Sequence, residues 1–416
     1  MNYFRKLFFS MALILFCLPV MYGWQVKASS ELERDQFWTT LWQKERRSKM
    51  TDEKTRTPQL NWQYEERAEI DNATQQYVTN VYQNGGFYHD PFVEDYLTQT
   101  LHQVVGSVPI AGRPGTPHIR ILKNPTPNAF AFNNGGIIIT TGMLALIRTQ
   151  TELKGVLAHE VAHIVLDHNL INYSSSKSRQ ALANFFGVAG AILGGVAAVQ
   201  SGSEKMNYAE YSRFVKNAMI GSGFFFYSLT KGIMDIVGAS YSRNQEEEAD
   251  LAARDFLMKT GLNREEYGDL LLRLGDYNKS NGLDMSSSLL DDHPAIKERL
   301  EELGYKNDKL AEKNDNIFDR IIADCLTYNA ALQLYQDKYD LALSSLERAI
   351  RSGLAVEESY LLHAIALRHL ASDSKTNQEA LRSLDLAVER RTAGSRFINS
   401  ERGLLYLRLG DFNKAQ

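Results

Sequence analysis

A chain of 416 residues with 44% hydrophobic content is long enough for two or three domains. Glycine (28) and proline (9) are too scarce for a fibrous or largely disordered chain, and a formal charge of −4 with no long basic run argues against nucleic acid as a partner. Two cysteines, Cys17 and Cys325, support neither a disulfide framework nor a cysteine-rich zinc site.

The amino terminus reads as an export signal. Arg5 and Lys6 precede an apolar run from Leu7 to Val20, and Val26 and Ala28 suit the positions before a cut after residue 28. Cys325 is then the sole mature cysteine. Residues 29–60 are charged and turn-rich and read as a leader into the folded part. The pattern predicts a helix from Asn61 to Val81 and another from Asp90-Pro91 to about Val105, capped by Asp90 with Pro91 in its first turn. His118–Leu122 and Gly136–Thr140 read as strands around a turn at Asn124-Pro125. Thr151 and Glu152 open a strong helix that is expected to run to about His168.

Two apolar stretches follow, Ala181–Val199 and Met219–Ala239, the second interrupted by Lys231 and Asp235. Their alanine and glycine content favours a buried or membrane-touching helical hairpin over a true span. Helices resume from Gln245 to Thr260 and from Arg264 to Asn278. In the last part of the chain Tyr339, Ala342, Leu346 and Ala349 set a pattern that Ala380, Leu384 and Ala387 repeat and that Phe412 and Ala415 begin again. A period near 34, with small residues where helices cross, is the mark of tetratricopeptide repeats. The third unit is incomplete at Gln416.

The chemistry concentrates at His159-Glu160-Val161-Ala162-His163. Helix positions four apart share a face, so His159 and His163 offer their imidazoles to one point, and zinc accepts two such nitrogens with room for a third ligand and water. Glu160 lies beside them, placed to take a proton from that water. Leu153, Val156, Leu157, Val161, Ile164 and Val165 suit a helix buried in a core. His168 falls on the opposite face of a continuous helix, since Leu166 stands where a glycine break is usual, and is expected at the surface. The third ligand is sought instead in Ser242-Arg243-Asn244-Gln245-Glu246-Glu247-Glu248-Ala249-Asp250. Spacing alone does not separate Glu246, Glu247 and Glu248. Asp250, one turn beyond Glu246, is placed to hold a ligand histidine by its other ring nitrogen, and Arg243 is expected to support the site beside it.

These segments, with His293-Pro294 and Arg299, resemble the zincin family that includes HtpX and the CAAX prenyl proteases. The resemblance implies that Glu246 is the third zinc ligand. It also implies that His293 approaches the metal as a regulatory fourth ligand. Asn128–Phe132 with Gly135-Gly136 resembles the strand region before the family's metal helix. Signal peptide, peptidase domain and repeat tail together resemble the BepA-type periplasmic branch, the β-barrel-assembly-enhancing proteases. That branch implies misassembled outer-membrane proteins as clients and the β-barrel assembly machinery as partner.

The expected fold is α+β: a mainly helical zincin-type metallopeptidase domain with a small β-sheet over 61–303, including an apolar hairpin at 181–239, a linker at 304–323, and an all-α repeat domain at 324–416. The expected activity is zinc-dependent endopeptidase action on envelope proteins, with one Zn²⁺ per chain, protein or peptide substrates and peripheral membrane contact. Gly136, Ile137, Ile138 and Ile139 are expected to pair with an extended substrate, and Arg243 or His293 to stabilise the oxyanion. Two rival readings stand beside it. One is a chaperone or adaptor with proteolysis secondary; the other is an integral inner-membrane quality-control protease.

Overall fold

The computed structural model describes residues 34, 36–41, 64–83, 85–106, 117–173, 241–280, 296–305, 315–390 and 396–415. The export signal, the two apolar stretches and His293 lie outside the described residues.

Helix α1 (Tyr64–Gln83) and strand β1 (Phe87–Tyr88) lead into α2 (Pro91–Val105). The side chain of Asp90 accepts from the backbone N–H groups of Phe92 and Val93 at 3.0 and 3.3 Å, satisfying donors that the first turn of a helix leaves open. Strands β2 (His118–Leu122), β3 (Ala129–Ala131) and β4 (Gly136–Thr140) complete a four-stranded mixed sheet in the order β1-β2-β4-β3. β2 and β4 are parallel, with Ile119 opposite Ile137 and Ile121 opposite Ile139; β3 runs antiparallel to β4, with Ala131 opposite Ile137.

The sheet order corrects one expectation. β4 is fully buried and hydrogen-bonded on both sides, so Gly136, Ile137, Ile138 and Ile139 have no free edge for a substrate. The edge belongs to β3. Phe132 N–H donates to Gly136 C=O and Thr140 N–H to Asn128 C=O, so the antiparallel alternation turns the main-chain groups of Ala129 and Ala131 away from β4.

After α3 (Thr141–Leu146), the central helix α4 (Gln150–Val165) starts at a Thr149 cap and is buried along nearly its whole length. Leu153, Leu157 and Val161 share one core with Leu97 and Leu101 of α2, Ile121 of β2, Ile139 of β4, and Ala249, Ala253 and Phe256 of a later helix, α6 (Arg243–Lys259). Helix α4 stops short of His168: Asp167 has φ of 59°, the left-handed conformation that aspartate tolerates better than most residues, and a new helix α5 (His168–Tyr173) begins there. Helix α6 opens with a capping box between Ser242 and Gln245 and packs against α4. Helices α7 (Arg264–Ser280) and α8 (Ile296–Glu302) cover them.

The described part of the proposed leader belongs to this body. Residues 36–41 are helical, Phe37 and Trp38 pack on Phe256, and Trp38 Nε1–H donates to Val104 C=O at 2.7 Å. The linker reading also gives way, because α9 (Asn316–Ile321) buries Phe318 in the same core. Helices α10 (Ala323–Tyr335), α11 (Tyr339–Arg351), α12 (Glu357–Leu370), α13 (Ser374–Glu389) and α14 (Arg396–Leu409) follow, and each from α11 onward packs on its predecessor. Cys325 and Leu326 of α10 sit in the main core, so the first of these helices is not a separate body. Ala342, Leu346 and Ala349 on α11 and Ala380, Leu384 and Ala387 on α13 are all buried. Phe412 is 68% exposed in a turn after α14 and does not take the place the repeat pattern assigns it.

Arg348 of α11 joins the two parts. It is fully buried, pairs with Asp319 of α9 at 2.6 Å, and donates to the carbonyls of Ala145 and Ile147 at the end of α3. Those carbonyls end a helix and have no intrahelical partner there. Among the described residues, no helix is long and apolar enough to cross a membrane.

Candidate metal centre

His159 and His163 project from α4 to one side, and Glu246 from the first turn of α6 meets them. The two Nε2 atoms are 3.0 Å apart, and Glu246 places Oε2 3.5 Å from His159 Nε2 and Oε1 3.5 Å from His163 Nε2. All three side chains are buried. Among the described residues this is the one group of three or more such side chains able to hold a metal ion. Glu247 and Glu248, indistinguishable from Glu246 by spacing, do not enter the cluster.

Behind His159 stands Asp250, whose Oδ1 is 2.9 Å from His159 Nδ1. Asp250 in turn accepts from Arg299 Nε at 2.6 Å, from Arg299 Nη2 at 2.8 Å and from the Tyr267 hydroxyl at 3.0 Å. Burial alone would raise the Asp250 carboxyl, but the Arg299 guanidinium, with His159, holds it well below the usual carboxylate range. For His159 burial works against a charge, yet Asp250 and Glu246 outweigh it and push the imidazole up to about 10. The pocket therefore favours a positive charge at this point, which a divalent cation supplies.

Glu160, next to His159 on α4, is also buried. It lines a cleft with His159, Asn128 and Ala129 at the β3 edge, and with apolar residues that include Val156, Leu270 and Leu274.

Two sequence expectations need adjusting, and one residue is new. Arg243 is largely exposed and forms an ion pair with Glu298, so the structure does not bring it to the ligand cluster; Arg299 holds the supporting position instead. His168 is buried, not exposed, because the turn at Asp167 sends it back onto His163. Tyr241 was missed altogether: its ring stacks on His163 with centroids 3.6 Å apart, and its hydroxyl donates to Asn169 Oδ1 at 2.6 Å. No periodicity marks a residue that lies just before a capped helix; only its nearness to Ser242 could have drawn notice.

Two histidines one turn apart, a buried glutamate from a second helix and a carboxylate beside the first histidine form the site of a metallopeptidase. The profile of peptidase family M48 matches residues 92–307, and the chain belongs to that family. Over 305 residues it is 24% identical to a β-barrel assembly-enhancing protease of Yersinia pestis, covering 65% of this chain and 57% of that one. It is 35% identical over 116 residues to a protease HtpX of Legionella pneumophila, covering 26% of this chain and 38% of the relative. Metalloprotease YcaL of Escherichia coli is 26% identical over 192 residues, covering 45% of this chain and 62% of that protein. The chain thus spans less than two thirds of the length of each of these relatives.

Proposed function

We propose that the protein is a zinc-dependent endopeptidase in which His159, His163 and Glu246 hold the metal and Glu160 is the general base. The observation that carries this reading is a buried donor cluster: the two histidine Nε2 atoms lie 3.0 Å apart, and the Glu246 carboxylate sets Oε2 3.5 Å from His159 Nε2 and Oε1 3.5 Å from His163 Nε2. Tetrahedral zinc with bonds of about 2.0–2.1 Å to nitrogen and oxygen separates neighbouring ligand atoms by about 3.3–3.4 Å, and each of these nitrogen–nitrogen and nitrogen–oxygen spacings is close to that value. Zinc bound there would supply Lewis acidity, polarising the scissile carbonyl and bringing the pKa of water to about 7.

Glu160 takes the proton of the attacking water and passes it to the leaving amine. Asp250 orients His159 through its Nδ1, and Arg299 and Tyr267 keep that carboxylate ionised and still. An extended substrate adds to the free edge of β3 at Ala129, which lines the same cleft as Glu160. By resemblance His293 is a regulatory ligand whose removal raises self-cleavage.

The names of relatives that are β-barrel assembly-enhancing proteases support a role in β-barrel assembly; by resemblance the clients are misassembled outer-membrane proteins, the partner is the β-barrel assembly machinery, and the site is periplasmic, reached by the signal at residues 1–28. Helices α10–α14 supply tetratricopeptide-type pairs for client or partner binding. The test is the metal content of the purified full chain. Wild type is expected to hold about one zinc per chain and Glu246→Gln far less, while Glu160→Gln keeps the metal and loses casein cleavage. A Glu160→Gln chain that cleaves at the wild-type rate would rule the assignment out.

A further inference from the structure

His163 is held from two sides besides the ligand cluster. Its Nδ1 lies 2.8 Å from Nδ1 of His168, and Tyr241 stacks on its face. His168 is buried, and its Nε2 is 3.1 Å from Oε2 of Glu248, whose side chain is 57% exposed.

The direction of these contacts follows from donor and acceptor chemistry. An ionised carboxylate only accepts, so the hydrogen between His168 and Glu248 sits on His168 Nε2. A neutral imidazole with its hydrogen on Nε2 offers a lone pair at Nδ1. The Nδ1 of His163 must then carry a hydrogen and donate it to His168. What remains on His163 is a lone pair at Nε2, the atom that faces His159 Nε2 and Glu246 Oε1 in the ligand cluster.

We infer that His168, backed by Glu248, is a positioning residue that fixes His163 as the Nδ1–H tautomer and so aims its Nε2 lone pair at the metal. The inference rests on the zinc reading above. It gives each ligand histidine its own orienting partner. His159 is served by Asp250 on α6, and His163 by a residue that reaches it only because Asp167 breaks the helix. Asn169, next along α5, ties Tyr241 to β3 by accepting from the tyrosine hydroxyl and donating to Ala131 C=O at 2.8 Å. The short helix thereby secures both the proton and the stacked ring.

The experiment measures zinc affinity of the full apo chain by competition with a chromophoric chelator, with thermal midpoints of the apo proteins alongside. His168→Leu removes the acceptor and is expected to bind zinc about 10–100-fold more weakly. His168→Asn, whose side-chain oxygen can occupy the place of Nδ1 and accept the same hydrogen, is expected to stay within about threefold of wild type. Equal affinity of His168→Leu and wild type overturns the proposal. So do equal losses in the Leu and Asn variants when both apo chains melt like wild type, since packing alone would then explain them. Should His168→Leu fail to fold, Glu248→Leu at the half-exposed end of the chain of contacts is read instead: weaker zinc binding supports the inference, and unchanged binding overturns it. A wild-type chain that takes up no zinc, or a Glu246→Gln chain that binds it as wild type does, would remove the metal reading itself.

Discussion

Asp250 faces His159 at 2.9 Å and Arg299 at 2.6 Å, so one buried carboxylate serves a ligand histidine and a buried guanidinium together. The two tasks separate on substitution. Asp250→Ala leaves Arg299 charged and unpaired in the core, which costs about 3–5 kcal/mol, and releases His159, which lowers zinc affinity about 10–100-fold. The double variant Asp250→Leu with Arg299→Met is expected to recover much of the thermal stability and none of the zinc affinity. Calorimetry and zinc titration on the same preparations read both effects; recovery of zinc binding in the double variant would contradict the orienting role.

The free edge of β3 makes a kinetic prediction. Ala129→Pro removes an N–H that points away from β4, so the ladder hydrogen bonds survive, as proline at a sheet edge allows. Substrate that adds along this edge loses a hydrogen bond. The expected outcome is a fall of about tenfold in kcat/KM with zinc content unchanged, in keeping with about 1–1.5 kcal/mol for a hydrogen bond. Unaltered kcat/KM would move substrate binding elsewhere.

Arg348 predicts how the carboxy-terminal helices are attached. Arg348→Met strands the Asp319 charge and leaves the Ala145 and Ile147 carbonyls without their donor, and a loss of about 3–5 kcal/mol is expected. Adding Asp319→Leu should restore part of that loss, because the orphaned charge goes while the carbonyls stay unmet. Limited proteolysis is expected to cut sooner between α9 and α11 in the single variant. A single variant as stable as wild type would show that α11 holds its place without this contact.

His363 of α12 sets a pH dependence. Burial lowers its pKa below the usual 6.5, and its Nδ1 lies 2.8 Å from the Ser383 hydroxyl on α13. Between the folded and unfolded pKa values the unfolded chain binds more protons, so stability is highest above about pH 6.5 and falls as pH drops towards the folded value. Denaturant midpoints from pH 8 to pH 5, compared with His363→Gln, measure this. The variant should lose part of the decline; an identical slope in both chains would assign the dependence to other groups.

Much of the architecture was legible along the chain, since local patterns encode local structure. The Asp90 cap, the strands at 118–122 and 136–140, and the apolar face of α4 all follow from short-range spacing, and the structure keeps them at those places. The two-residue strand β1 was too short to leave a pattern. The leader and linker readings give way at residues 36–41 and 316–321 for a related reason: a charged stretch with a few aromatics looks solvated until Trp38 and Phe318 are seen against their partners.

At the site, two imidazoles four residues apart announced a shared target because helix geometry is fixed over one turn. Which glutamate joins them could not be settled by spacing, as three stand in a row; the angle at which α6 crosses α4 chooses Glu246. The same holds for strand order, which put the strand at 136–140 inside the sheet and β3 at its edge, and for His168, whose direction turns on a single left-handed residue, Asp167. Short-range sterics and hydrophobic period thus settled which helices and strands form and which face carries the histidines. Partners brought together across 80 or more residues, such as Glu248 with His168 or Arg348 with Ala145, are decided by packing, which no local pattern records.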